Sequence, residues 1–405
     1  MLLGVRHRGG DYSAVSGALS AMLTFLRDRK VRDILWQAAA TLVTVAVIWF
    51  FVRNASENMV KAGIASGFRF LWRDSGIEVP FNITGYKPSD NLLSLLWTGI
   101  VNTLLVSAAS IVVATVVGFT VGLLRLSRNW LLSTLAGFYI EFVRNIPLLF
   151  FVLFWYFGVL AALPLPRGSY DMLGVIFLNR RGLSIPTPND VSGLRLALLV
   201  IILLVAVQYG IARWARARQA RTGRDFPVWP VGFVLCGGLP IAALVVGGMT
   251  TTWDLPILRG FNYRGGFVLV PEFVALFAAL STYTAGFIAE VVRGGIQSVR
   301  QGQIDAAKAL GLTHGRIVRL VVIPQAMPVI IPPITSQYLN LIKNSSFGAA
   351  IAYPEIVAVF MGSALVSTGQ SIEIIAITLG IYLALSLSVS VFMNWYNARH
   401  KLVTR

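Results

Sequence analysis

Eight apolar runs, at 34–53, 93–124, 134–162, 194–212, 230–249, 271–293, 321–343 and 374–396, leave this chain few folds to choose from. A helix needs about 20 apolar residues to cross the hydrocarbon of a bilayer. Lipid offers no hydrogen-bond partners, and a helix satisfies its backbone within one segment. The expected fold class is therefore all-α, a polytopic membrane bundle of about eight transmembrane helices. Charged residues are only 13% of the chain against 56% hydrophobic ones, far from the roughly 25% charged of soluble domains. The one cysteine, Cys236, excludes an intramolecular disulfide. His7, His314 and His400 are scattered and no HExxH occurs, so no metal site is expected.

A net charge of +17 would suggest nucleic acid in a soluble protein. Here the basic residues gather in alternate loops, so no nucleic-acid partner is expected. Arg6, Arg8, Arg27, Arg29, Lys30 and Arg32 precede the first run, and Arg125 and Arg128 follow the second. Arg213, Arg216, Arg218, Arg221 and Arg224 follow the fourth; Arg293, Arg300, Lys308, Arg316 and Arg319 follow the sixth; Arg399, Lys401 and Arg405 come last. Cytosolic loops are enriched in Lys and Arg. With both termini cytosolic, every cluster falls inside. The outer loops carry fewer (Lys61, Arg69, Arg73, Lys87, Arg180, Arg181). The first run lacks a small-residue cleavage signature and reads as an uncleaved span after a cytosolic arm, 1–33. Two long outer loops are expected, 54–91 and 163–193, the second holding Pro164, Pro166, Pro186 and Pro188 against regular helix.

Polar residues inside apolar runs mark the candidate path. Glu141, Arg144 and Asn145 precede Pro147. Proline disfavours helical geometry in the residue before it, so the chain is expected to break or kink near Ile146. Glu141 and Arg144 read either as an i,i+3 pair near the inner interface or as part of a gate. Pro324, Pro328, Pro332 and Pro333 argue that 321–343 is not a straight rod. Its outer half carries Lys343 and places Gln337, Asn340 and Asn344 on one helical face. Such groups pack against other helices or line a watery cavity. Asn102, Thr103 and Ser107 on the second run, and Thr282, Tyr283 and Thr284 on the sixth, are the opposing candidates. Asn102, Tyr283, Gln337 and Asn340 make the proposed lining. Glu290 and Arg293 are placed to form an interfacial ion pair.

Between the sixth and seventh runs lies a polar island, Gln301-Gly302-Gln303-Ile304-Asp305-Ala306-Ala307-Lys308-Ala309-Leu310-Gly311. Ile304, Ala307 and Leu310 recur every three residues, giving a short helix one apolar stripe. Asp305 suits the helix's positive start, Gly311 its left-handed end, and Thr313 caps a second helix near His314. The island reads as a cytosolic helix-Gly-helix knuckle for a soluble partner, or as an ordinary solvated loop.

The run Ala289-Glu290-Val291-Val292-Arg293-Gly294-Gly295, continued by the island and by Ile323-Pro324-Gln325-Ala326, resembles the permease subunits of polar-amino-acid ABC importers. Glu141-Phe142-Val143-Arg144-Asn145-Ile146-Pro147-Leu148-Leu149 resembles a second signature of that family. The likeness covers 93–162 and 271–397, the two parts of a core of five helices of the type I ABC importer permease fold. A first helix with its outer loop (34–92), an insertion (163–270) with two further helices, and a C-terminal tail (398–405) are additions. These extras, with Ser127-Arg128-Asn129-Trp130-Leu131-Leu132, look like the larger permease subunits of general L-amino-acid transport systems. An insertion with an even number of crossings leaves the topology after it unchanged.

The resemblance implies a multi-pass inner-membrane transporter subunit, not an enzyme. Its coupling helix near 303–312 presents Gln303, Asp305, Ala306, Ala307, Leu310 and Gly311 to a dimer of cytosolic ABC ATPases. Asp305 stands where Glu is usual. The chain carries no GxxxxGK[ST], so ATP and Mg are expected on the ATPase and no cofactor on this chain. A periplasmic binding protein would deliver an L-amino acid, and a second homologous permease would complete a heterodimer. A secondary transporter would instead need embedded carboxylates or repeated halves. An intramembrane enzyme would need a metal motif or a nucleophile–base pair. The sequence shows neither set.

Overall fold

The computed structural model describes residues 29–61, 67–223, 226–249 and 251–400. The basic residues Arg6, Arg8, Arg27, Arg224, Lys401 and Arg405 lie outside the described residues, as does most of the arm 1–33. The chain divides into two compact units, Met1–Phe68 and Arg69–Arg405. The first unit contains α1 (Arg29–Lys61), whose stretch Val31–Ala55 is apolar enough to cross a membrane. The second unit contains the other spans, which form a bundle of their own.

Among the described residues seven helices are long and apolar enough to cross a membrane, or eight when one bent pair is taken as a single span. In the second unit these are α2 (Leu92–Arg125), the bent pair α3 (Trp130–Asn145) and α4 (Leu148–Leu153, continued to Ala162), and α5 (Ser192–Thr222). Next comes α6 (Leu239–Met249), reached from a helix at Val228–Phe233 through a π turn at Val234–Gly238. Beyond it lie α7 (Pro271–Gln297), the short α8 (Gln301–Ala309), α9 (Ile323–Asn344) and α10 (Ser371–His400). Leu379, Leu383, Leu387 and Val391 on α10 repeat every fourth residue and stay 56–68% exposed. Apolar side chains facing outward are what lipid, not water, accommodates.

The bundle is built on α2 and α7. Ser110 lies against the Phe277 carbonyl, Gly118 against Ile288 and Gly122 against Val292, so contacts advance together and the two helices run parallel. Parallel α2 and α7 require an even number of crossings after the bent pair, which α5 and α6 supply. A Cβ on Gly118 would lie 2.7 Å from the Ile288 side chain, and one on Gly122 would lie 2.7 Å from the Ala289 carbonyl oxygen. The spacing is the small-xxx-small pattern that lets helix backbones approach where no hydrophobic effect drives them together. Ala275, Leu276, Ala279, Leu280, Ala285 and Ala289 of α7 are completely buried.

The expected break lies at Ile146, whose extended backbone (φ −109°, ψ 132°) is what a following proline favours. The two halves of this span meet at 108°. The proline-rich helix behaves differently. It runs as one span, His314–Ile351, with a π turn at Val318–Val322 just before Pro324. A π turn widens the hydrogen-bond ring and makes room for a ring that would strike the carbonyl four residues back.

The loops around α5 and α6 form strands that alternation did not announce. β1 (Tyr170–Met172), β2 (Ile176–Asn179), β3 (Gly182–Ile185) and β8 (Phe267–Leu269) form one antiparallel sheet in the order β1-β2-β3-β8. β4 (Thr187–Pro188) pairs with β5 (Trp253–Asp254), and β6 (Ile257–Arg259) with β7 (Asn262–Arg264). Pro166 opens only a single 3-10 turn, Pro166–Gly168, and no α-helix forms between Pro164 and Pro188. Each strand is too short, two to four residues, for a period-2 pattern to show.

Overpacking a tight core contact costs typically about 1–3 kcal/mol. Gly118→Leu and Gly122→Leu are each expected to remove most monodisperse protein in fluorescence-detected size-exclusion chromatography. Gly380→Leu on α10, where a Cβ meets nothing within 4 Å, is expected to leave the peak unchanged.

Candidate functional site

The knuckle forms as a helix, but from Gln301, four residues before Asp305. Asp305 thus sits in the second turn and not at the positive end. The Lys308 ammonium at 3.0 Å and the Gln301 amide at 3.1 Å hold its carboxyl below the usual carboxylate range. Helix α8 ends in a Schellman motif: Leu312 N–H donates to the Ala307 carbonyl and Gly311 N–H to that of Lys308. Gly311 takes the left-handed conformation this requires, φ +73°. Thr313 occupies the cap position before His314, yet its side chain makes no capping bond.

The apolar stripe divides. Ala307 is buried, and Ile304 and Leu312 pack against the core. Leu310 turns away and is 80% exposed. It shares an outward face with Ala306 and Gln303, both exposed, at offsets of four and seven residues. Behind the knuckle, a Cβ on Gly295 would lie 2.2 Å from Ile330, so α7 and α9 meet closely where the knuckle leaves α7.

Charged groups ring this end of the bundle. Arg293 grips Glu290 with two bonds, Nε to Oε2 at 2.9 Å and Nη2 to Oε1 at 2.6 Å, the pair the spacing predicts. Arg144 reaches Glu290 at 4.0 Å and lies over the Phe287 ring, so its partner is not Glu141. The i,i+3 pairing of Glu141 with Arg144 is therefore corrected: three residues of helix put them on one face, but the elbow turns Arg144 toward α7. Glu141 is exposed, and its backbone carbonyl accepts the Asn145 amide at 2.7 Å, closing α3 just before Pro147.

At the opposite end of the bundle the path candidates separate. Asn102 is fully buried and donates to the carbonyls of Phe81 (3.0 Å) and Pro354 (2.9 Å), so it braces backbone. Thr103 accepts from Ile356 N–H, and Tyr353 donates to the Asn102 carbonyl. Gln337 is half-buried and Asn340 exposed on α9. Tyr283 is half-buried against Phe151 and Phe287. The structure does not bring Asn102 together with Tyr283, Gln337 and Asn340 through any hydrogen bond among the described residues.

Sequence reasoning missed Glu355. It is completely buried and accepts from Val357 N–H, Ala358 N–H and the Tyr382 hydroxyl at 2.8–2.9 Å. It thereby caps the helix at Val357–Ala364 and ties it to α10. A carboxylate just before an apolar run, Pro354-Glu355-Ile356-Val357, was the available signal.

Residues 110–402, which include the elbow, the knuckle and α9, match the family described as binding-protein-dependent transport system inner membrane component. The chain belongs to that family. As such a component it is a multi-pass membrane protein that transports and does not hydrolyse ATP, working with a binding protein and an ATPase on separate chains. It is 45% identical over 393 residues to the putative amino-acid ABC transporter permease protein YhdX of Escherichia coli K12, covering 97% of this chain and 99% of that one. It is 43% identical to the general L-amino acid transport system permease protein AapQ of Rhizobium johnstonii, over 98% and 100% of the two chains. It is 35% identical to the glutamate/glutamine/aspartate/asparagine transport system permease protein BztB of Rhodobacter capsulatus, over 93% and 96%. The secondary-transporter and intramembrane-enzyme alternatives fall with this membership.

The contacts behind the permease's knuckle differ in weight. Gly295→Val, pressed on Ile330, is expected to cost about 1–3 kcal/mol. Glu290→Gln, whose partners are partly exposed, is expected to cost under about 1 kcal/mol. Thermal melting of the purified complex in detergent checks the order: the Gly295 variant melts clearly below the Glu290 variant.

Proposed function

We propose that this permease carries L-amino acids inward, with both termini and the knuckle 301–312 in the cytosol. The amino-acid cargo rests on the named activities of YhdX, AapQ and BztB. The orientation rests on the basic clusters, which gather at one side when the spans are counted from a cytosolic N-terminus. A periplasmic binding protein supplies the amino acid, a second homologous permease subunit completes a pseudo-twofold heterodimer, and a dimer of ATPases holds ATP and Mg. This chain itself binds no cofactor.

One observation carries the reading. Helix α8 is fixed to the bundle by Ile304, Ala307 and Leu312 and presents Gln303, Ala306 and Leu310 to solvent on a stop held by Gly311. A rigid peg of this kind turns motion of a docked protein into motion of α7 and α9, which leave from its two ends. Closure of the ATPase pair on ATP would push the peg and shift α7 and α9 as packed units. The elbow at Ile146–Pro147, with Glu141, Arg144 and Asn145, is the gate in this scheme. Tyr283, Gln337 and Asn340 line the passage, and Asn102 holds its wall.

Leu310→Glu places a charge on the exposed tip without touching the buried side. In the assembled transporter it is expected to reduce ATPase co-purification and amino-acid uptake by at least about tenfold, the size of an interface hot spot. Membrane insertion and monodispersity remain normal. Full uptake with the ATPase still bound would refute docking at this helix.

A further inference from the structure

The two loops flanking α5 and α6 are far apart in sequence, yet they build one surface. Phe177 of β2 stacks on Tyr263 of β7 with ring centroids 4.6 Å apart. The turn Arg180-Arg181 joins β2 to β3, because Asn179 faces Gly182 across the pair. Arg181 donates to Asn262, which stands opposite Arg259 in the β6–β7 hairpin. Arg167 lies over the Phe261 ring at 4.6 Å and donates to the Gly260 carbonyl at 3.4 Å. The backbone N–H of Arg180 is fixed to the Pro164 carbonyl at 3.0 Å. Arg167, Arg181 and Arg259 thus meet at one hairpin tip, with Arg180 next to Arg181 in the β2–β3 turn, and all four are exposed.

Among the described residues none of these four arginines makes an ion pair. The strands' own carboxylates answer turns: Asp171 accepts from Gly174 N–H and Asp254 from Gly266 N–H. Beside the arginines Phe261 is 73% exposed. Beside Arg181 lies a cleft of about 260 Å³, lined also by Asn179, Ser184 and Asn262. Arginine beside an exposed aromatic is the composition of protein–protein hot spots. Guanidinium forks recognise carboxylates through two parallel bonds; that of Arg167 is held by stacking on Phe261 and that of Arg181 by its bond to Asn262. On the side of the membrane away from the knuckle such a concentration of Arg runs against the usual distribution. Through β8 the surface is continuous with α7 and with the Phe81, Phe273 and Tyr353 rings of the core.

We propose that Arg167, Arg180, Arg181 and Arg259, with the exposed Phe261 beside Arg167, form a docking platform for an acidic patch on the soluble binding protein. The proposal rests on the orientation argued above, which puts the sheets on the periplasmic side.

The test uses the complete transporter in nanodiscs, assayed for ATP turnover stimulated by the cognate, amino-acid-loaded binding protein. The triple variant Arg180→Glu, Arg181→Glu, Arg259→Glu is expected to raise the half-saturating concentration of binding protein by about tenfold and to flatten its salt dependence, because charge reversal across an interface repels the partner. The corresponding Lys variant, which keeps the charge and loses the bidentate fork, is expected to fall between the wild type and the Glu variant, and the unstimulated turnover of both is expected to change by less than about twofold. Unchanged half-saturation in the Glu variant overturns the platform. So does an effect seen only in discs of anionic lipid, which assigns the arginines to headgroups. A cysteine at Phe261→Cys, labelled by an impermeant maleimide in intact spheroplasts, separates the two claims. Labelling with unchanged half-saturation defeats the platform alone. Absence of labelling defeats the orientation and the platform with it.

Discussion

Helices α2 and α7 approach until a single added carbon at Gly118 or Gly122 would collide with the other helix, and the other helices of the second unit are arranged around that contact. In lipid no water is released when helices meet, so close van der Waals packing must hold them. The small faces of α2 and α7 provide it. Once these two helices are parallel and fixed, the bent span packs along α7, and α9 crosses it near Gly295. The knuckle between α7 and α9 is then held at both ends and needs few contacts of its own.

The same solvent dictates where polar groups sit. Asn102, Thr103, Tyr353 and Glu355 are buried, and most of their polar atoms answer backbone groups freed where the chain stops being helical, between Ile351 and Val357. An irregular turn at membrane depth is tolerated when protein supplies its hydrogen bonds. This gives the polar residues of α2 a structural duty. Tyr283, Gln337 and Asn340, the residues proposed to line the passage, keep some exposure. Charge follows a different logic at the knuckle end. Arg144, Glu290, Arg293 and Asp305 keep contact with water and form pairs that steady orientation more than stability.

The elbow and the proline-rich helix show two outcomes for the same residue type. Pro147 follows Ile146, whose extended backbone turns the chain through 108°. Pro324, Pro328, Pro332 and Pro333 lie in a helix that continues. The difference is local: a π turn precedes Pro324, and neighbouring helices support α9 along its length. Proline removes a donor in both places; only the surroundings decide whether the chain bends.

The sequence alone determined the spans, the elbow and the knuckle with its glycine stop. These depend on run length, on the conformation a residue must take before proline, and on the left-handed preference of Gly311, all of which act over a few neighbours. The tertiary structure alone decided which side of the knuckle faces out, because Ile304 and Leu310 are equally apolar and only the core's position tells them apart. It also decided that Arg144 answers Glu290 across helices and that Asn102 braces a turn some 250 residues away. The arginines of two loops meet at one hairpin tip for the same reason. Pairings between distant segments are set by packing, and a reading of local pattern carries no record of them.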